Sequence, residues 1–214
     1  MGLALRLNAF RDVEAPDVYG ALATFYEKRG AVLVPEGDGL RSHDLRERYG
    51  RWCVLEWDAG WEWTVRREAQ LHVSRQLGVA GLLVFVYDGD YWGYELFDRG
   101  EAKDHFVQTA MDPVITFPGE DCAGNAAVLA QTLGLNEADV APYLARWDRW
   151  PERATRAKER ARPGDEFTRW DECAVLDFLR ALDVDVRLAG YSVEFAAPVW
   201  RSFRPSFLTG TESR

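Results

Sequence analysis

The chain has 214 residues, of which 47% are hydrophobic and 13% aromatic, and its formal net charge is −9. That is enough apolar material for a packed core, and it excludes disorder as the overall state. The acidic balance argues against nucleic acid as a partner, which would need a basic footprint to replace phosphate counterions, and the longest apolar run, Val79 to Tyr87, is too short to span a bilayer.

Leu3, Leu5 and Leu7 alternate with polar or small residues and predict a first strand over about 3–10. Ala15-Pro16-Asp17 then opens a helix, since proline is tolerated in a first turn whose N–H groups have no intrahelical acceptor. Its apolar stripe is Val18, Leu22, Phe25 and Tyr26, and Gly30 sits where a left-handed stop is expected. Residues 31–35 read as a second strand, Glu36 to Gly39 as a turn, and the charged stretch 40–50 as a loop. Alternation of Cys53, Leu55 and Trp57 predicts a third strand over 51–57. Thr64 is placed to cap a helix over 65–77 with Val65, Ala69, Val73 and Leu77 on one stripe, ended by Gly78. Residues 82–87 and 91–97 flank Asp88-Gly89-Asp90, and Asp-Gly supplies the positive φ angles of a tight hairpin. Asp98-Arg99-Gly100 leads into one more strand over about 101–107.

The order β-α-β-β-α-β-β-β predicts an α+β fold: an antiparallel sheet with a ferredoxin-like β-α-β-β-α-β start, extended by a β-hairpin. This sheet domain is expected over 1–108. Residues 109–214 are expected to form a mainly helical region with a late strand, packed on the first part as one globular unit. Within it, 109–122 reads as a linker, and Asn125 to Leu133 as a short helix stopped by Gly134. Asp139 is placed to cap a helix through Trp147, and Pro151 to Arg162 reads as a charged helix. Asp171 to Leu182 is amphipathic, Tyr191 to Phe195 alternates like a strand that rejoins the sheet, and the last ten residues read as a frayed end.

The charge is unevenly spread. Residues 109–145 carry five acids and no base, while 146–162 carry seven bases against three acids and read as a solvated, arginine-rich helix face. Only three of the 26 basic residues are lysines, a bias typical of a GC-rich, bacterial coding sequence. Cys53, Cys122 and Cys173 are widely spaced and odd in number, which points to reduced thiols and a cytoplasmic setting. The N-terminal residues lack a signal core, and Arg6 stands where a myristoylation signal has Ser or Thr, so neither export nor lipid anchoring is expected.

Chemistry-bearing motifs are sparse. No glycine-rich phosphate loop, nucleophile elbow or zinc-protease helix is present, and His43, His72 and His105 lack the spacing of metal ligands, so no metal or cofactor is expected. Cys122 precedes a helix, whose N-terminal field favours a thiolate, and His105 is the nearest base in sequence. Glu120 and Asp121 oppose that ionisation. Asp88 and Asp90 resemble an Asp-x-Asp metal pair, but the same residues suit a hairpin turn.

Aromatic density is the unusual feature. Trp52, Trp57, Trp61, Trp63 and Trp92 fall close together in the chain, with Tyr87, Tyr91 and Tyr94 beside them. Such rings fill cores, and they also anchor interfaces, because they combine a large apolar area with one polar handle. The expected function is a non-catalytic protein-interaction module in a bacterial cytoplasm, of an immunity or inhibitor type that binds a basic partner. Trp61, Trp63, Asp88, Asp90, Tyr91 and Trp92 are its expected contact residues. The alternatives are an enzyme using Cys122 with His105 or Asp88 with Asp90, and a small-ligand sensor with an aromatic pocket.

Overall fold

Eight strands hydrogen-bond into a single antiparallel sheet in a computed structural model that describes residues 3, 5–35, 43–57, 62–87, 89–109, 122–147, 158–189 and 192–207. They are β1 (Leu5–Arg11), β2 (Ala31–Pro35), β3 (His43–Arg46), β4 (Trp52–Trp57), β5 (Ala80–Tyr87), β6 (Tyr91–Asp98), β7 (Glu101–Val107) and β10 (Val199–Phe207). The order across the sheet is β2-β10-β3-β4-β1-β5-β6-β7. A separate hairpin pairs β8 (Val186–Ala189) with β9 (Ser192–Phe195). The described helices are α1 (Ala15–Glu27), α2 (Trp63–Leu77), α3 (Ala126–Leu133), α4 (Glu137–Val140) and α5 (Ala174–Ala181), with a single 3₁₀ turn at Ala141–Tyr143. Among the described residues no helix is long and apolar enough to cross a membrane.

Helices cover both faces of the sheet. On one face Leu5, Leu7 and Ala9 of β1 join Val84, Trp92, Tyr94 and Phe106 in a core closed by Leu129, Leu133, Val175 and Phe178 of α3 and α5. On the other, Phe10, Leu55 and Trp57 pack under Val18, Leu22 and Phe25 of α1 and under Ala69 and Val73 of α2. That second face continues towards the β7 edge as Leu83, Phe85, Phe97 and Val107, packed with Trp63, Trp147 and Trp170. This two-sided cover is why β6 is apolar on both of its faces, with seven of its eight residues buried.

Four sequence expectations differ from the structure. The charged stretch read as a loop contains β3, because His43 and Leu45 alternate inward, and the His43 ring is held in the core by Tyr26 Oη, 2.9 Å from its Nε2. In a ferredoxin-like start β2 would lie directly beside β4, but here β3 and β10 lie between them. The strand at 192–195 pairs with β8 rather than joining the sheet, and it is β10, reaching into the stretch read as frayed, that joins. The helix expected through Trp147 is the short α4 and the 3₁₀ turn. Asn136 rather than Asp139 caps it, accepting from Ala138 N at 3.2 Å. The expected hairpin of β5 and β6 is present, as is α3 between its Asn125 cap and Gly134 (φ 57°). The expected charged helix at 151–162 falls largely outside the described residues.

Candidate functional site

The α2 face of the sheet carries most of the buried polar chemistry. Helix α2 begins at Trp63, two residues before the expected start, and Thr64 lies inside it rather than capping it; the N-cap, Glu62, makes no side-chain cap bond. The Trp63 ring meets Phe85 edge-on at 5.1 Å and draws the first turn down onto the sheet. The buried side of α2 is Arg66, Ala69, Gln70, Val73 and Ser74, so three polar side chains share the apolar stripe. Asn8 of β1 donates to Arg66 O at 3.1 Å and accepts from Trp57 Nε1 at 3.0 Å. Gln70 Nε2 donates to Ala9 O at 3.4 Å, and it fits only because position 81 on β5 is glycine: a Cβ there would strike the Gln70 amide.

One helical position on from Arg66, Arg67 reaches the buried carboxylate of Glu95 on β6, donating from Nε at 2.8 Å and from Nη2 at 2.6 Å. Glu95 is 1% exposed. Directly across the β6–β7 ladder from Glu95 stands His105, half-buried on the same face. Beyond β7 the chain returns alongside it: Phe106 bridges Ala123, and Val107 N donates to Cys122 O at 3.0 Å. That antiparallel pairing sets Cys122 opposite Val107, on the face that His105 also occupies. Glu95 and His105 are thus a direct cross-strand pair, and the half-buried Cys122 lies on the same face of the sheet edge, displaced diagonally from His105 towards Val107. A carboxylate, an imidazole and a thiol on one face are the residue types from which an activated nucleophile is built.

The opposite face of the same edge holds a different polar pair. Tyr94 Oη donates to Asp104 Oδ2 at 2.6 Å, and Asn125 N donates to the same oxygen at 3.0 Å, which ties the start of α3 to β7. Burial pushes the Asp104 carboxyl up, against the lowering effect of those hydrogen bonds.

The residues singled out from the sequence do not share one surface. Trp92 is fully buried on the α3–α5 face, where it packs on Phe106 and Phe178 at 4.9 and 5.0 Å. Tyr91 is buried on the opposite face and stacks on Tyr87 at 5.3 Å. Trp63 is half-buried, and Asp90 is exposed in the turn, its N–H donating to Tyr87 O at 2.8 Å. Trp61 and Asp88 lie outside the described residues. His105 and Cys122 share a face, and the partner that sequence reading missed is Glu95. The large hydrophobic side chains exposed among the described residues are Val32, Tyr49 and Val199. Tyr49 rims an open cleft of about 390 Å³ with Arg51, Arg180, Asp183 and Asp185.

One group of acidic and thiol side chains, Asp171, Glu172 and Cys173, has its ligand atoms within 4.8 Å of one another. The three are consecutive, and Asp171 Oδ1 already accepts from Cys173 N at 2.9 Å. Burial, with Asp171 and Glu172 adding to it, pushes the Cys173 thiol up to about 12. No family model matches the chain, and no curated protein or solved structure is similar enough to it to show a relationship.

Proposed function

We propose that this chain is a non-catalytic protein-interaction module that binds a basic partner, an immunity-type or inhibitor protein of a bacterial cytoplasm. The observation that carries the reading is the net charge of −9; most of the described indole rings are buried and do not supply the contact surface. Recognition then falls to charge. Exposed carboxylates at Asp17, Glu27, Glu47, Asp90 and Glu137 supply a field that steers a cationic partner. Tyr49 and the cleft it rims offer an amphipathic anchor of the kind that carries interface energy. The test is affinity capture at low salt, followed by calorimetry with the purified partner. A basic protein is expected, bound more weakly at about 0.5 M than at about 0.05 M salt. Capture of nothing specific, or an affinity indifferent to salt, overturns the reading.

A second reading rests on the face shared by Glu95, His105 and Cys122. In it Cys122 is a nucleophile, His105 its base and Glu95 the group that orients the imidazole. The reading requires Cys122 alkylation to stay fast below pH 7 and to slow when His105 is replaced by alanine.

A further inference from the structure

The first turn of α2 brings positive charge where helices ordinarily carry negative charge. The first N–H groups of a helix have no acceptor within it, and the macrodipole leaves about half a positive charge at that end. Glu62 supplies no side-chain cap, the first turn holds no acid, and Arg66 follows at its end. Arg66 is 4% exposed, yet its Nε and Nη1 have no hydrogen-bond acceptor. Among the described residues no carboxylate stands within ion-pair range of Arg66 or of Arg6. Helix side chains lean towards the N-terminus. Arg66 follows that lean, with its guanidinium carbon 5.4 Å from the ring centre of Trp63, the first residue of the helix. Arg6 approaches from β1 on the same side as Asn8, which hydrogen-bonds the Arg66 carbonyl. Burial and the neighbouring Arg6 charge lower the Arg66 guanidinium to about 10, a shift that an adjacent anion would reverse.

A buried guanidinium without a counter-charge is costly and is normally paired. We propose that the N-terminal turn of α2, with Arg66 and Arg6, is a binding site for a dianionic phosphoryl group. Two unpaired guanidinium groups and the positive end of a 15-residue helix balance two negative charges, as one carboxylate would not. Among the described residues of this turn, Thr64 is exposed and Trp63 half-buried. The site does not depend on the acidic partner surface and stands or falls separately from it.

The test is thermal unfolding of the full chain with inorganic phosphate or glycerol 3-phosphate, chloride holding ionic strength constant. At a hundredfold excess over Kd the midpoint is expected to rise by about 5 to 10 °C. A larger rise with the ester identifies a phosphorylated small molecule as the source, and a larger rise with the free ion identifies phosphate itself. Arg66→Met is expected to fold without ligand at least as well as the parent and to lose the rise. Arg6→Met is expected to weaken phosphate at least tenfold, and it keeps the test open should Arg66→Met fail to fold. Amide NMR shifts on adding phosphate are expected to centre on Thr64, Val65 and Arg66. Absence of any rise in the parent, or a rise that persists in both variants, overturns the site.

Discussion

Glu95 and His105 face each other because the β6–β7 ladder slips by one residue between Leu96 and Phe97. Nearer the turn Asp98 pairs with Glu101 and Phe97 with Ala102, while beyond the slip Leu96 pairs with Asp104 and Glu95 with His105. Lys103 is the extra residue on β7, so without the bulge Glu95 would stand opposite Asp104. The carboxylate is bonded by Arg67, and His105 is its cross-strand neighbour. Glu95→Gln is expected to destabilise the fold by about 1 to 3 kcal/mol, because Arg67 remains partly exposed and recovers water in place of its partner. Urea denaturation measures this, and a double-mutant cycle with Arg67→Met should show coupling. Equal stability of parent and Glu95→Gln would mean the bidentate pair contributes nothing.

Gly93 is required by what lies on either side of β6. A Cβ at this position would strike Phe106 O of β7 and the Phe85 ring of β5, and a carbonyl within a sheet has little room to move. Gly93→Ala is therefore expected to cost about 3 kcal/mol, the upper range for overpacking. Gly20 on α1 is the control, since a Cβ there would meet nothing within 4 Å: Gly20→Ala is expected to be neutral or stabilising. Chemical denaturation of the two variants side by side separates crowding from helix propensity.

How far the fold is legible in the sequence follows from where its signals lie. The β5–β6 hairpin and α3 announce themselves locally, through Asp88-Gly89 and through Asn125 with Gly134. β3 does not, because only His43 and Leu45 face inward within a charged stretch, and its outer neighbour β10 lies more than 150 residues away in sequence. The apolar pattern of α2 has the right period but is centred too far round. Val65 and Leu77 are half-buried, whereas Arg66, Gln70 and Ser74 are buried and count as solvent-facing in any hydrophobic pattern. The candidate site is legible only as Cys122 and His105. Their relation to Glu95 depends on a one-residue bulge, and their relation to each other on a backbone bridge, neither of which is written in composition or spacing.

His72 gives the fold a pH dependence on the acid side. Its ring is half-buried between α1 and α2, with Nε2 3.2 Å from Thr24 Oγ1, the Phe25 ring centre 5.7 Å away, and the charges of Lys28 and Arg29 nearby. Burial first, then Lys28, lowers its proton affinity below the ordinary value of 6.5. The unfolded chain therefore takes up this proton before the native one does. The stabilising contribution is present above about pH 6.5 and is lost as pH falls through the lower native value. Relative to His72→Gln, the parent is expected to lose stability from about pH 7 to pH 5, read as a shrinking gap between the two urea midpoints. A gap constant with pH would show that the native ring titrates as it does in the unfolded chain.

The three thiols differ enough in setting for labelling to separate the two functional readings. Cys53 is fully buried on β4, and burial, with Glu14 adding to it, raises its thiol to about 12. Cys173 is raised to about 12 as well. A thiol of that pKa is about one part in ten thousand thiolate at about pH 8, so both should react with a disulfide reagent far more slowly than an ordinary cysteine. Cys122, half-buried beside the β7 edge, is expected to supply the fast phase of the native protein, and Cys122→Ser to remove it. For an interaction module, that phase should accelerate through the ordinary thiol range near about pH 8.5 and be the same in His105→Ala. A fast phase that persists at about pH 6 and collapses in His105→Ala would instead show the imidazole holding the thiolate, and would move the assignment from binding to nucleophilic chemistry.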